Sequence, residues 1–117
     1  MIKGIFYVSV FASDLERSKK FYGETLGWKL GTSERYVAGF HFGSGYLVIQ
    51  SDSRPPASRQ YAGGMRVEVQ VDDVTEEHAR LKGLGVDVSE LRDQPWGERN
   101  FQFTDPDGYM WYYGQSK

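Results

Sequence analysis

Cysteine is absent from this chain of 117 residues. Its absence excludes thiolate metal sites, cysteine nucleophiles and thiol switches, and it suits a reducing cytoplasm. Histidine occurs only at His41 and His78, on elements that read as unrelated, which is a poor basis for an imidazole metal cluster. Positive charge is not in excess either. Fourteen basic against 16 acidic residues leave a formal net charge of -2, so the basic footprint of a nucleic-acid binder is missing. Long apolar runs are missing too. The longest uncharged stretch near the start, Gly4 to Ser13, falls far short of the ~20 residues of a membrane helix. It also lacks the cationic flank and cleavage pattern of a signal peptide, so it reads as mature structure. No P-loop, dinucleotide fingerprint or Ser-His-Asp arrangement is visible. Proline is scarce, with four residues, whereas 14 glycines predict many tight turns between short strands.

What is present is the material of one packed domain: 39% hydrophobic, 15% aromatic and 26% charged residues. A chain of this length buries roughly two thirds of its unfolded surface and needs no metal to hold it. It also contains an internal repeat. Val8 to Ser18, running on to Leu26-Gly27, reads like Val67 to Glu77, running on to Leu84-Gly85; Asp14 and Asp73 are counterparts. Each half predicts a strand, a helix and then further strands, with module one at 1–52, a linker at 53–63 and module two at 64–117. Capping boxes are expected from Ser13 with Glu16 and from Asp73 with Glu76, and glycine ends each helix at Gly27 and Gly85. Leu15, Ser18, Phe21, Tyr22, Thr25 and Leu26 form one stripe; Val74, His78, Leu81 and Leu84 form the other.

Alternation predicts strands at Ile5 to Val10 and Met65 to Val71, with Phe6, Val8, Val10 and Val67, Val69, Val71 facing the helices. The opposite faces carry Tyr7, Arg66, Glu68 and Gln70, which suit a solvated concave surface. Further strands are expected at Trp28 to Ser33, Tyr36 to Phe42, Tyr46 to Ser51, Val86 to Ser89, Arg99 to Thr104 and Tyr109 to Gly114. Phe101, Phe103, Trp111 and Tyr113 read as core, and Asp105-Pro106-Asp107-Gly108 as a turn.

Asp14-Leu15-Glu16-Arg17-Ser18 with Phe21-Tyr22 and Leu26-Gly27 resembles the first-module signature of the vicinal oxygen chelate superfamily. That superfamily holds glyoxalase I, ring-cleaving dioxygenases and the bleomycin resistance proteins. Val71-Asp72-Asp73, Leu84-Gly85-Val86, Pro95-Trp96-Gly97-Glu98-Arg99 and the Asp-Pro-Asp-Gly turn resemble its second module, so the likeness covers essentially the whole chain. It implies an α+β fold of two βαβββ modules, their sheets curled around a cavity and usually completed by a second subunit. Metal-dependent members carry ligands at four strand positions. Carried over, these fall on Tyr7, Gln50, Arg66 and Tyr112, so His/Glu/His/Glu has become Tyr/Gln/Arg/Tyr. Arginine is a permanent cation with no acceptor and repels a divalent ion. The resemblance therefore implies a member without the family's metal, and no cofactor is expected.

Several readings stay open. Arg66 and Glu68 are an intrastrand ion pair or an anion anchor. Tyr7 and Tyr112 plug the vacated metal position or offer hydroxyls; Trp96 stacks on a ligand or anchors its loop; His41 enters the cavity or faces an edge. The leading expectation is a cytoplasmic homodimer that binds a small oxygen-rich or anionic aromatic molecule, as in antibiotic sequestration, with no nucleic acid or membrane partner. Tyr7, Gln50, Arg66, Glu68, Trp96, Tyr112 and His41 are the candidate ligand residues. The alternatives are an enzyme, either metal-independent or a lyase, isomerase or dioxygenase with a metal displaced to His41 and Glu68, and a purely regulatory or structural partner.

Overall fold

The repeat seen in the sequence becomes two copies of one βαβββ order. A computed structural model describes residues 1–117, which divide into two compact units, Met1–Tyr61 and Ala62–Lys117. The first unit runs β1 (Val8–Ala12), α1 (Leu15–Lys20), β2 (Lys29–Ser33), β3 (Val37–Phe42) and β4 (Gly45–Ser51). The second runs β5 (Arg66–Gln70), α2 (Val74–Gly83), β6 (Arg92–Gln94), β7 (Glu98–Thr104) and β8 (Met110–Ser116). Each makes a four-stranded mixed sheet, ordered β1-β4-β3-β2 and β5-β8-β7-β6. The first strand lies parallel to the fourth, and the remaining pairs are antiparallel.

Alternation decides which face is buried. In the first unit Ala38, Phe40, Leu47 and Ile49 are buried beneath α1, which contributes Leu15. In the second, Phe101, Phe103, Trp111 and Tyr113 lie under α2 with Val74 and Leu81, their rings meeting edge to face. Burying each large side chain stabilises by roughly 1.5–3 kcal/mol. The opposite faces stay open and carry the polar residues.

Several local expectations are corrected. The first cap is Asp14, not Ser13: its carboxylate accepts from the Arg17 N–H, whereas Ser13 Oγ accepts from the Arg17 guanidinium. Asp73 caps α2 as expected, accepting from the Glu76 N–H. After Lys20 the first helix widens into a π-helical turn over Phe21–Thr25, and Gly27 and Gly85 then end the helices with positive φ. Leu84 is exposed, because the chain leaves the helical path at that residue. β1 starts at Val8, not Ile5, because its parallel partner β4 begins at Gly45, just before Leu47, which pairs with Val8. Phe6 is consequently 89% exposed. Val86 to Ser89 forms no strand. The Ser89 carbonyl meets His78 Nε2 at 2.8 Å and its hydroxyl takes the Gln102 N–H at 2.9 Å, so a ladder cannot propagate. β6 forms further on, at Arg92–Gln94.

Candidate functional site

The open face of the second sheet gathers most of the polar candidates. Odd and even positions divide along β5, so Arg66, Glu68 and Gln70 point away from α2 while Val67 and Val69 point towards it. The register places Arg66 opposite Met110 and Glu68 opposite Tyr112. Arg66 reaches diagonally, its Nη1 donating to Tyr112 Oη at 3.2 Å, with the guanidinium carbon 5.0 Å from that ring's centroid. Beside Arg66, an open cleft of about 430 Å³ is lined by Gly63, Gly64, Met65, Arg66, Gly108 and Met110. The guanidinium is thus oriented by a neutral phenol and not neutralised by it. It retains donors suited to a carboxylate or phosphate.

Glu68 is engaged elsewhere. No ion pair joins it to Arg66; it shares Asn100 with Glu98. Asn100 Nδ2 donates to Glu98 Oε1 at 2.9 Å and lies 3.4 Å from Glu68 Oε1. Its own carbonyl accepts from Gln94 Nε2 at 3.0 Å, which satisfies a side chain that is almost fully buried. A Cβ built on Gly114 would meet Glu68 Oε2 and Glu98 Oε2, each at 3.0 Å, so glycine there lets the two carboxyl groups converge. The hydrogen bond to Glu98, partial burial and the like charge of Glu98 raise the Glu68 carboxyl above its ordinary value. Asn100 and Arg66 pull the other way. Two carboxyls in this arrangement favour sharing one proton. Trp96, 70% exposed in the β6–β7 turn, donates from Nε1 to Glu98 Oε1 at 3.3 Å, so its indole is tethered to the same network.

The first sheet holds the other candidates. Tyr7 stands just before β1, 47% exposed, its ring 5.4 Å from that of Phe6. His41 lies on β3 opposite Tyr46, ring centroids 4.7 Å apart. Gln50 is exposed on β4, opposite Phe11 on β1 and Val37 on β3.

The register changes one carried-over position. Glu68 faces Tyr112; its counterpart 59 residues earlier, Ser9, faces Val48. Gln50 faces Phe11, as Gly114 faces Gln70, the residue 59 after Phe11. Within the repeat, then, Val48 and not Gln50 matches Tyr112. If the family's metal positions carry over in this register, they fall on Tyr7 and Val48 in the first unit and on Arg66 and Tyr112 in the second, where the cation is hydrogen-bonded to the phenol oxygen. That donor set does not fit a divalent ion. Nor do three or more His, Asp or Glu side chains come together elsewhere in a group that could hold one.

Sequence reasoning passed over Glu98, Asn100 and Gly114 as site residues. A signal for the first two was there: Glu98 and Asn100 alternate with the core residues Phe101 and Phe103 on one strand, so both fall on the open face.

Three comparisons bear on this geometry. The family model of the Glyoxalase/Bleomycin resistance protein/Dioxygenase superfamily matches residues 4–113. The chain is 31% identical, over 92% of its own length and 92% of the relative's, to the uncharacterized protein YaeR of Escherichia coli (strain K12). The structure of TnmS3, an antibiotic binding protein from Streptomyces sp. CB03234, superposes with a TM-score of 0.83 at 30% identity, covering 99% of this chain and 98% of that one. The fosfomycin resistance protein FosX of Listeria monocytogenes gives 0.82 at 21% identity over 100% and 96%, a likeness of fold.

Proposed function

The chain belongs to the glyoxalase/bleomycin resistance protein/dioxygenase superfamily, and from that membership we propose that it binds a small anionic or oxygen-rich molecule without a divalent metal. The observation that carries this reading is Arg66, a fixed cation at one of the family's metal positions, aimed by Tyr112 at 3.2 Å and bordering an open cleft. In metal-dependent members the ion attracts ligand oxygens; a guanidinium fork offers a comparable attraction to a carboxylate, phosphate or enolate. Trp96 is exposed enough to cover a flat apolar part of the ligand. The likeness to an antibiotic binding protein supports sequestration as the biological use. Glu68 completes the proposed contact set on the second sheet; Tyr7, Gln50 and His41 are the proposed ligand contacts of the first. The working unit is taken as one domain of both modules, in a cytoplasmic homodimer.

Calorimetry with salicylate and benzoate tests this. Arg66→Ala is expected to weaken binding by about 1–3 kcal/mol, the range of a charged hydrogen bond, with little change in melting temperature because Arg66 is exposed. Equal affinity in the variant together with a large loss of stability would make Arg66 a structural residue and end this reading.

One observation favours a second reading, an enzyme of the same superfamily. Glu68 and Glu98 converge over Gly114, with the Glu68 carboxyl raised. A carboxyl raised by a second one beside it is suited to general acid–base work. A Glu98→Gln variant that lost turnover of a substrate but kept its affinity would select this alternative.

A further inference from the structure

In the first unit, β3 presents His41, β4 presents Tyr46 opposite it, and β2 presents Lys29 opposite His41 on the other side. Tyr46 does not stand up from the sheet but lies across β3 towards β2. Its hydroxyl accepts from the Thr32 N–H at 3.1 Å and donates to Thr32 Oγ1 at a long 3.3 Å. Two glycines permit this. A Cβ at Gly39 would collide with the Tyr46 phenol, and one at Gly31 would sit 2.7 Å from Tyr46 Oη and 3.1 Å from His41 Nε2. Neither glycine has a positive φ. They serve clearance, not backbone freedom. The phenol oxygen and the imidazole nitrogen therefore converge on one space above Gly31.

The charged side chains of the three strands have one sign. β2, β3 and β4 carry Lys29 and His41 as their only ionisable groups besides Tyr46, and no carboxylate. Glu34 lies in the β2–β3 turn, at the opposite end of the hairpin from the Lys29–His41 pair. The side-chain and backbone hydrogen bonds from Thr32 lower the Tyr46 pKa, and the single phenol proton, held at a long 3.3 Å by Thr32 Oγ1, can turn from it to an anionic oxygen while the Thr32 N–H still donates to Oη. A phenol and an imidazole that converge beside a cation, on strands that carry no carboxylate, suit an oxygen that bears negative charge.

We propose that Tyr46 and His41 form a second ligand contact, in which Tyr46 Oη and His41 Nε2 both hydrogen-bond a carboxylate or enolate oxygen of a small organic acid above Gly31, with Lys29 supplying charge. This rests on the reading of the chain as a binder of small oxygen-rich molecules, but it names residues on the first sheet that Arg66 does not touch in sequence or register.

The test is a benzoate titration followed by NMR of the imidazole nitrogens. The chain has two histidines, and the ring of His78, tied to the Ser89 carbonyl, is the internal reference. His41 signals are expected to move saturably while those of His78 stay still. Tyr46→Phe keeps the ring over Gly39 and should weaken the His41 response by about tenfold, as for one charged hydrogen bond. Gly31→Ala should abolish it. The response should persist in Arg66→Ala, and it should do so even if calorimetry finds that Arg66 contributes nothing, which separates this proposal from the reading above. No movement of His41, parallel movement of both histidines, or an unchanged response in Tyr46→Phe overturns it.

Discussion

Gly114 shows how a single hydrogen in place of a methyl shapes a site. Alanine there would place Cβ 3.0 Å from both Glu68 Oε2 and Glu98 Oε2, so the carboxyl pair would have to separate. The same pair makes a pH prediction. Glu68 is raised in the folded state, first by its hydrogen bond to Glu98. A raised carboxyl favours folding below the unfolded value of 4.5, and that contribution is lost as pH rises through the folded pKa. Thermal melts should therefore show Glu98→Gln gaining on the wild type as pH is raised above about 4.5, with little difference at more acid pH. A constant offset across that range would mean that Glu98 does not govern Glu68. Asp52 has the opposite sign. Its carboxylate grips Arg54 through both oxygens, at 2.9 and 2.8 Å, and holds that guanidinium 4.0 Å above the Phe11 ring, which folds the start of the linker back on the first sheet. The hydrogen bond from Arg54 holds Asp52 far below the usual carboxylate range.

The β6–β7 hairpin is clamped in the same manner at the scale of an element. Asp93 accepts from Arg99 Nε at 2.7 Å and pairs with Lys117 Nζ at 3.2 Å, joining β6 to β7 and to the end of the chain. Arg99 first, then Lys117, lowers the Asp93 pKa from 3.8 to about 2. That contribution is complete above 3.8 and disappears as pH falls towards about 2. Protection of the hairpin amides, taken relative to the intrinsic exchange rate at each pH, should fall over that interval in the wild type and remain flat in Asp93→Asn. The helices depend on their caps. Asp73→Ala leaves the Glu76 N–H without its acceptor and should cost about 1 kcal/mol in chemical denaturation. Ser13→Ala should cost clearly less than Asp14→Ala, since Asp14 is the residue whose side chain accepts the backbone N–H.

At the scale of the whole molecule, the proposed homodimer would cover surface that each unit leaves open. β1 and β5 are edge strands of their sheets, and Met1, Ile2, Ile5 and Phe6 are apolar and at least 88% exposed in the single chain. Exposed edges and apolar segments are usually covered. Light scattering at micromolar concentration is expected to give twice the mass of one chain; a mass near 13.4 kDa would count against the homodimer. On the proposal that Arg66 stands where relatives hold a metal, elemental analysis should find no stoichiometric zinc, nickel, manganese or iron, and a chelator should leave the melting temperature unchanged. About one ion per chain would overturn the metal-free reading.

Periodicity determined a strand followed by a helix and further strands in each half, because alternation and capping are local and repeat within a few residues; the βαβββ order was what the family resemblance implied. The glycines that end both helices and the aromatic core of the second sheet were legible for the same reason. Pairing was not. Val48 and Gln50 lie on one face of β4, so alternation treats them alike; only the alignment of β1 with β4 puts Val48 at the level of Ser9. The convergence of Glu68 with Glu98 over Gly114, and of Tyr46 with His41 over Gly31, likewise joins residues on different strands. Each such meeting depends on register and on space left by a missing side chain, and both are decided by tertiary packing, not by any neighbour along the chain.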